Sequence, residues 1–239
     1  MIATAAVVPH PPLLVAELAG AAARETAALR DACREAAAHL AAAGDHWIAV
    51  GAAPTASRHP PGTCGTFAGF GVDVRVALGG ADPAAEPDRE LPLPVLVAGW
   101  LREQAGSAGD RVRIDAHVLP SGTAPQDARR AGEELAASNG HGDAVLLVLA
   151  DGAATHTPRA PGALDERAAG YDRAVADALA AGDAAVLAGL DPGLSDALLV
   201  GGRVPWQVLA GALPGPSSAR LVHSSAPYGV AYHVALWEG

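Results

Sequence analysis

Apolar and polar positions follow two rhythms along this chain, and the switches between them predict strands alternating with helices from end to end. Residues 2–8 form a short apolar run closed by Pro9, the pattern of a buried strand, since proline cannot donate to a sheet ladder. Residues 21–43 carry Leu29, Cys33, Ala36 and Leu40 at helical spacing with charges opposite, and Gly44 stops that helix. Residues 47–51 read as a second buried strand, 54–65 as an exposed loop rich in Pro, Gly, Ser and Thr, and 72–78 as a third strand. Residues 79–92 read as a polar, acidic connection. Residues 94–104 predict a helix with proline in its first turn, 112–119 a strand, and 123–137 a helix capped by Thr123. Residues 144–150 are apolar at every position, which predicts a central strand covered on both faces. Beyond it lie a helix over 168–181 with Tyr171, Val175 and Leu179 inward, short helices around 184–190 and 205–213, and closing strands at 219–223 and 229–237. The alternation predicts one α/β domain over residues 1–239, with a central, largely parallel sheet flanked by helices on both faces.

Composition narrows the function classes. Half of the 239 residues are hydrophobic and 18% are charged, so a large core is available and global disorder is excluded. No apolar stretch approaches the roughly 20 residues needed to cross a bilayer, and the start lacks the basic region of a signal peptide; a cytoplasmic protein with no membrane partner is expected. A net charge of −10, from 26 acidic against 16 basic residues, argues against nucleic acid and anionic membranes and for a small-molecule substrate or a protein partner, with homo-oligomerisation left open. There is no lysine, so Schiff-base chemistry through a lysine amine is unavailable. Cys33 and Cys64 form no CxxC pair, and Cys33 shares the apolar helical face, which assigns it to packing.

Two strand ends concentrate chemistry. His10, in Pro9-His10-Pro11-Pro12, follows the first strand, and Asp151 and His156 follow the strand at 144–150. In open α/β sheets ligands gather at the carboxyl ends of strands, and neutral imidazole is the commonest protein metal ligand. Asp151 and His156 are therefore candidates for an acid/base pair or for metal ligands, and His10 and His156 are expected to open into one crevice. A turn-capping Asp151 and a solvated His156 are the competing structural roles. His59 lies in the 54–65 loop, a poor platform for a rigid ligand, and His223 lies near a strand end. His233 alternates with Tyr232 and Val234 and reads as a satisfied sheet residue; His39, His46, His117 and His141 read as structural or exposed.

Three segments carry a resemblance. They are Ala5-Ala-Val-Val-Pro-His10-Pro-Pro-Leu-Leu-Val15, then Leu149-Ala-Asp151-Gly-Ala-Ala-Thr-His156 followed by Pro161-Gly-Ala-Leu-Asp165-Glu-Arg-Ala-Ala-Gly-Tyr171-Asp172, and last Ala226-Pro-Tyr-Gly229-Val-Ala-Tyr-His-Val-Ala. In this order they resemble the class III extradiol ring-cleavage dioxygenases, most nearly the short catalytic-subunit-B-like members, with Memo proteins as more distant relatives. The resemblance implies a non-haem Fe(II) held by two His and one carboxylate, with His10 as a ligand and His156 as acid/base. It implies a catechol-like small aromatic substrate.

The departures are as informative. The family's second metal histidine follows the second strand, where this chain reads Val50-Gly-Ala-Ala-Pro54-Thr-Ala56, with no imidazole before His59. After Asp196 the only acidic side chain is Glu238, one residue from the end. His59, His223 or Asp151 would have to replace missing ligands around His10. Fe(II), another divalent metal or no metal at all remain open, and classical ring cleavage is expected to be weak or absent. The alternative is a divergent, non-catalytic member that keeps the fold and binds a small molecule or a protein without redox chemistry.

Overall fold

The computed structural model describes residues 2–82, 84–138 and 144–239. The opening apolar run forms β1 (Thr4–Val8), buried throughout, and a single-turn helix α1 (Ala16–Ala19) follows the prolines. The long amphipathic helix α2 (Ala27–Ala43) starts later than the periodicity suggests. Gly20, at φ 53°, first turns the chain into a short 3-10 segment, and the buried Arg30 guanidinium reaches back to Thr26 Oγ1 and the Ala23 carbonyl. Then come β2 (His46–Ala53), β3 (Ser57–His59), β4 (Cys64–Thr66), β5 (Arg75–Ala77) and α3 (Leu93–Gln104). The second half of the chain holds β6 (Arg113–Pro120), α4 (Pro125–Ser138), β7 (Ala144–Leu149), α5 (Ala168–Ala181), α6 (Ala184–Ala188), α7 (Pro192–Ala197), α8 (Arg203–Ala212), β8 (Ser218–Ser225) and β9 (Tyr232–Glu238).

Seven strands form one sheet in the order β3-β6-β2-β7-β1-β9-β8. The four central strands β6, β2, β7 and β1 run parallel, and β3, β9 and β8 add antiparallel edges. β7 is internal, between β2 and β1, as a strand apolar on both faces must be. One face packs Ala6, Val8, Ala49 and Leu147 against α2 and α3; the other packs Val7, Val50, Leu146 and Val148 against α5, α6 and α8. All four parallel strands therefore deliver their following loops to one edge.

Two expectations are corrected. The 54–65 stretch is not simply a loop: it contains β3, pinned to β6 by the Arg58 to Asp115 ion pair at 2.5–3.0 Å. The third predicted strand shrinks to β5 and leaves the main sheet, pairing instead with β4 in a separate two-stranded ribbon. An additional helix, α7, begins where Asp191 accepts a hydrogen bond from Leu194 N at 2.7 Å with proline in the first turn. His141 lies outside the described residues. Among the described residues no helix is long and apolar enough to cross a membrane.

Helices α4 and α8 touch backbone to backbone. A Cβ on Gly132 would lie 2.0 Å from the Val208 carbonyl oxygen, and one on Gly211 would lie 2.0 Å from that of Arg129. Gly211→Ala should therefore force the helices apart and cost about 1–3 kcal/mol, read as a lower urea midpoint with an unchanged slope. Gly170→Ala, in α5 with open space around it, should be neutral or stabilising.

Candidate functional site

Residues at the carboxyl edge of the sheet form two polar clusters. The first joins the ends of β1 and β7. The His10 backbone N–H donates to Asp151 Oδ1 at 2.8 Å, and the buried His10 Nδ1, which makes no hydrogen bond, lies 3.6 Å from the same oxygen. Gly201 closes over them, since its Cβ would sit 3.7 Å from Asp151 Cβ and 4.0 Å from His10 Cε1. The Asp151 charge is felt on the α2 face: burial, then Asp151, raises both the Tyr232 hydroxyl and the Cys33 thiol above their ordinary ranges.

The second cluster is built around Asp172 on the other face. Asp172 is 5% exposed and lies one position after Tyr171 on the inward stripe of α5. Its Oδ2 accepts from His156 Nε2 at 2.6 Å, its Oδ1 faces His233 Nε2 at 3.4 Å, and the Ala153 N–H donates to both oxygens at 3.2–3.3 Å. A carboxylate so buried is tolerable only because donors surround it. Gly152 is required here, because a Cβ at that position would stand 2.4 Å from Asp172 Oδ1. His233, 2% exposed, accepts at Nδ1 from Ser224 Oγ at 3.0 Å, and its ring tilts against that of Trp206 with centroids 6.3 Å apart. The cluster forms the wall of a cavity of about 280 Å³, which Arg173 and Ser225 also line. Arg173 is exposed and makes no ion pair or hydrogen bond with any described residue. A cleft of about 360 Å³ beside β4 and β5 is lined by exposed charges such as Asp73 and Arg75, 3.7 Å apart, and its buried Thr66 hydroxyl is already taken by Asp73 at 2.6 Å.

The structure thus brings His10 to Asp151 and His156 to Asp172, and no hydrogen bond or ion pair joins the two pairs; His10 does not line the cavity of His156. The single crevice expected from the sequence is replaced by two clusters because the side chains leave the sheet edge on different faces. His59 sits on β3, four strands from β1, roughly 19 Å at the usual strand spacing, and its ring binds Ser57 Oγ at 2.9 Å. His223 is on the opposite outer strand, β8, bonded to Ser225 Oγ at 2.7 Å. Glu238 pairs with His39 and Thr4 at the far end of β1. Among the described residues no three His, Cys, Asp or Glu side chains are placed to hold a metal ion. A two-His-one-carboxylate iron site needs donors within about 2 Å of one point, and the residues present do not fit it.

Sequence reasoning missed Asp172, His233, Ser224 and Arg173. The signal for Asp172 was available: a charged residue on the apolar stripe of a helix must find partners. His233 alternates as a sheet residue should, and the pattern cannot tell that the face it enters is polar at that height.

No protein-family model matches the sequence, and no curated protein matches it. Among solved structures, the fold is similar to that of the uncharacterized protein JW3007 from Escherichia coli K12, with a TM-score of 0.54 at 12% identity, covering 99% of this chain and 100% of that one. At that identity the likeness speaks to the fold alone.

Asp172→Asn places an amide among three donors and should cost about 3 kcal/mol in urea unfolding, since a buried acceptor becomes in part a donor. A second expectation concerns pH. Burial holds His59, His117 and His223 below the ordinary histidine range, with His233 a further cause at His223. The unfolded chain then takes up protons first as the pH falls through about 6.5, so stability is full above that value and declines toward pH 5. The urea midpoint should be lower at pH 5.5 than at pH 7.5. Replacing all three with Gln should flatten that dependence.

Proposed function

We propose that this protein is a divergent relative of the extradiol dioxygenase scaffold that binds a small carboxylated, hydroxylated molecule in the Asp172 cavity without redox chemistry. The observation that carries this reading is one buried carboxylate wiring two imidazoles to the wall of a cavity with an unpaired arginine beside it. Asp172 faces only donors, so the His156 proton sits on Nε2 and its Nδ1 is left without a protein partner, able to accept from a ligand hydroxyl. Arg173 offers a planar fork that suits a carboxylate. A volume of about 280 Å³ suits a ligand of modest size. Neither His59 nor His223 converges on the His10 and Asp151 pair, which speaks against the ring-cleavage centre.

Calorimetry with protocatechuate, a carboxylated catechol, tests the reading. Binding is expected, and Arg173→Ala should weaken it about tenfold, which is about 1.4 kcal/mol. Protein loaded anaerobically with Fe(II) and then given protocatechuate and oxygen should form no yellow ring-opened product. Turnover on the order of 1 per second would overturn the proposal, as would an affinity unchanged by Arg173→Ala.

A further inference from the structure

We propose that Ser224 is a nucleophile and that the cavity hydrolyses a small carboxylic ester by acyl transfer, an inference that rests on the cavity being the ligand site. Asp172 Oδ1 faces His233 Nε2 at 3.4 Å, and His233 Nδ1 faces Ser224 Oγ at 3.0 Å. The other partners of Asp172, His156 Nε2 and the Ala153 N–H, are donors too, so the carboxylate is an acceptor throughout and fixes the His233 proton on Nε2. His233 Nδ1 is then a lone pair, and the Ser224 hydroxyl donates to it. This is the order carboxylate, imidazole, hydroxyl that activates serine, with the two ring nitrogens exchanged relative to the usual arrangement. The two supporting groups are buried and the hydroxyl is accessible: Asp172 is 5% exposed, His233 is 2% exposed, and Ser224 lies exposed at the cavity wall. Ser224 and His233 are also cross-strand partners in the β8–β9 ladder, so the backbone holds their spacing, and Trp206 holds the ring.

In the first step Ser224 Oγ bonds to the ester carbonyl carbon while its proton passes to His233 Nδ1. The bond from that carbon to the alcohol oxygen then breaks, and His233 returns the proton to the departing alkoxide. Water repeats the sequence on the acyl-serine, releasing the acid and restoring Ser224. Asp172 is a positioning residue, holding the ring and balancing its charge when both nitrogens are protonated. Arg173 would meet an anionic group on the substrate.

The test uses the full chain with a fluorophosphonate probe and p-nitrophenyl acetate. Peptide mass mapping should find the phosphonyl adduct on Ser224. Ser224→Ala should abolish the adduct and lower p-nitrophenolate release about 100-fold or more, whereas Ser57→Ala, on β3 and outside the cavity, should leave both in place. His233→Gln should lower kcat by a similar factor, and Asp172→Asn should lower kcat per folded molecule, the folded fraction being read by circular dichroism, and change the pH profile of kcat, neither of which mere loss of folded protein would produce. No adduct, an adduct elsewhere, or release that persists in Ser224→Ala overturns the inference. If protocatechuate still binds while Ser224 stays unmodified, the acyl-transfer step alone fails; if it does not bind, the ligand site fails with it.

Discussion

Everything at the candidate site depends on the parallel pairing of β7 with β1 on one side and β2 on the other. Because those strands run the same way, the segments after Val8, Ala53 and Leu149 all emerge at one edge of the sheet. Burial on both faces makes the register hard to slip: a one-residue shift of β7 would exchange Leu147, packed toward α2 and α3, with Leu146, packed toward α5 and α8. The antiparallel β9 then enters beside β1 from that same edge, with Asp151 bridging Tyr232, and this brings His233 to the level of the loop that carries His156. The site is a consequence of topology before it is a consequence of any side chain.

What the edge does with its polar groups is decided by the alternation of side chains across the sheet. Tyr232 enters the α2 face and His233 the α8 face, so neighbours in sequence serve different environments. On the α2 side, Asp151 meets His10 with little else to satisfy either. On the α5 and α8 side, Asp172 collects three donors and passes its influence through His233 to an exposed hydroxyl. Asp172 comes from a helix packed on the sheet, and that platform is firmer than the loop carrying Asp151.

The fold was largely legible in the sequence because its signals are long and periodic. The all-apolar run of β7 and the stripe of Tyr171, Val175 and Leu179 in α5 mark a covered sheet with little ambiguity. The misses were short elements whose existence depends on partners. β3 is three residues long and is held by the Arg58 to Asp115 pair, a contact across 57 positions that no local pattern announces. α7 was announced by Asp191-Pro192, a cap followed by a first-turn proline, in a segment too short for periodicity to register. At the site, sequence placed His10, Asp151 and His156 at strand ends. It could not place His59 and His223, because strand order is a property of the whole sheet.

Strand order also explains why a ligand set cannot be replaced by any nearby histidine in the sequence. His59 follows β2 closely along the chain, yet β3 crosses beyond β6 to the outer edge, and a metal bond of about 2 Å allows no such reach. His223 is carried to the other outer edge by β8. The core closes without those rings: Leu146 to Leu149, Trp206 and Trp237 are buried by helices and strands alone. Where a buried carboxylate can sit at the sheet edge is therefore set by where donors are available to it. In this chain the donors surround Asp172.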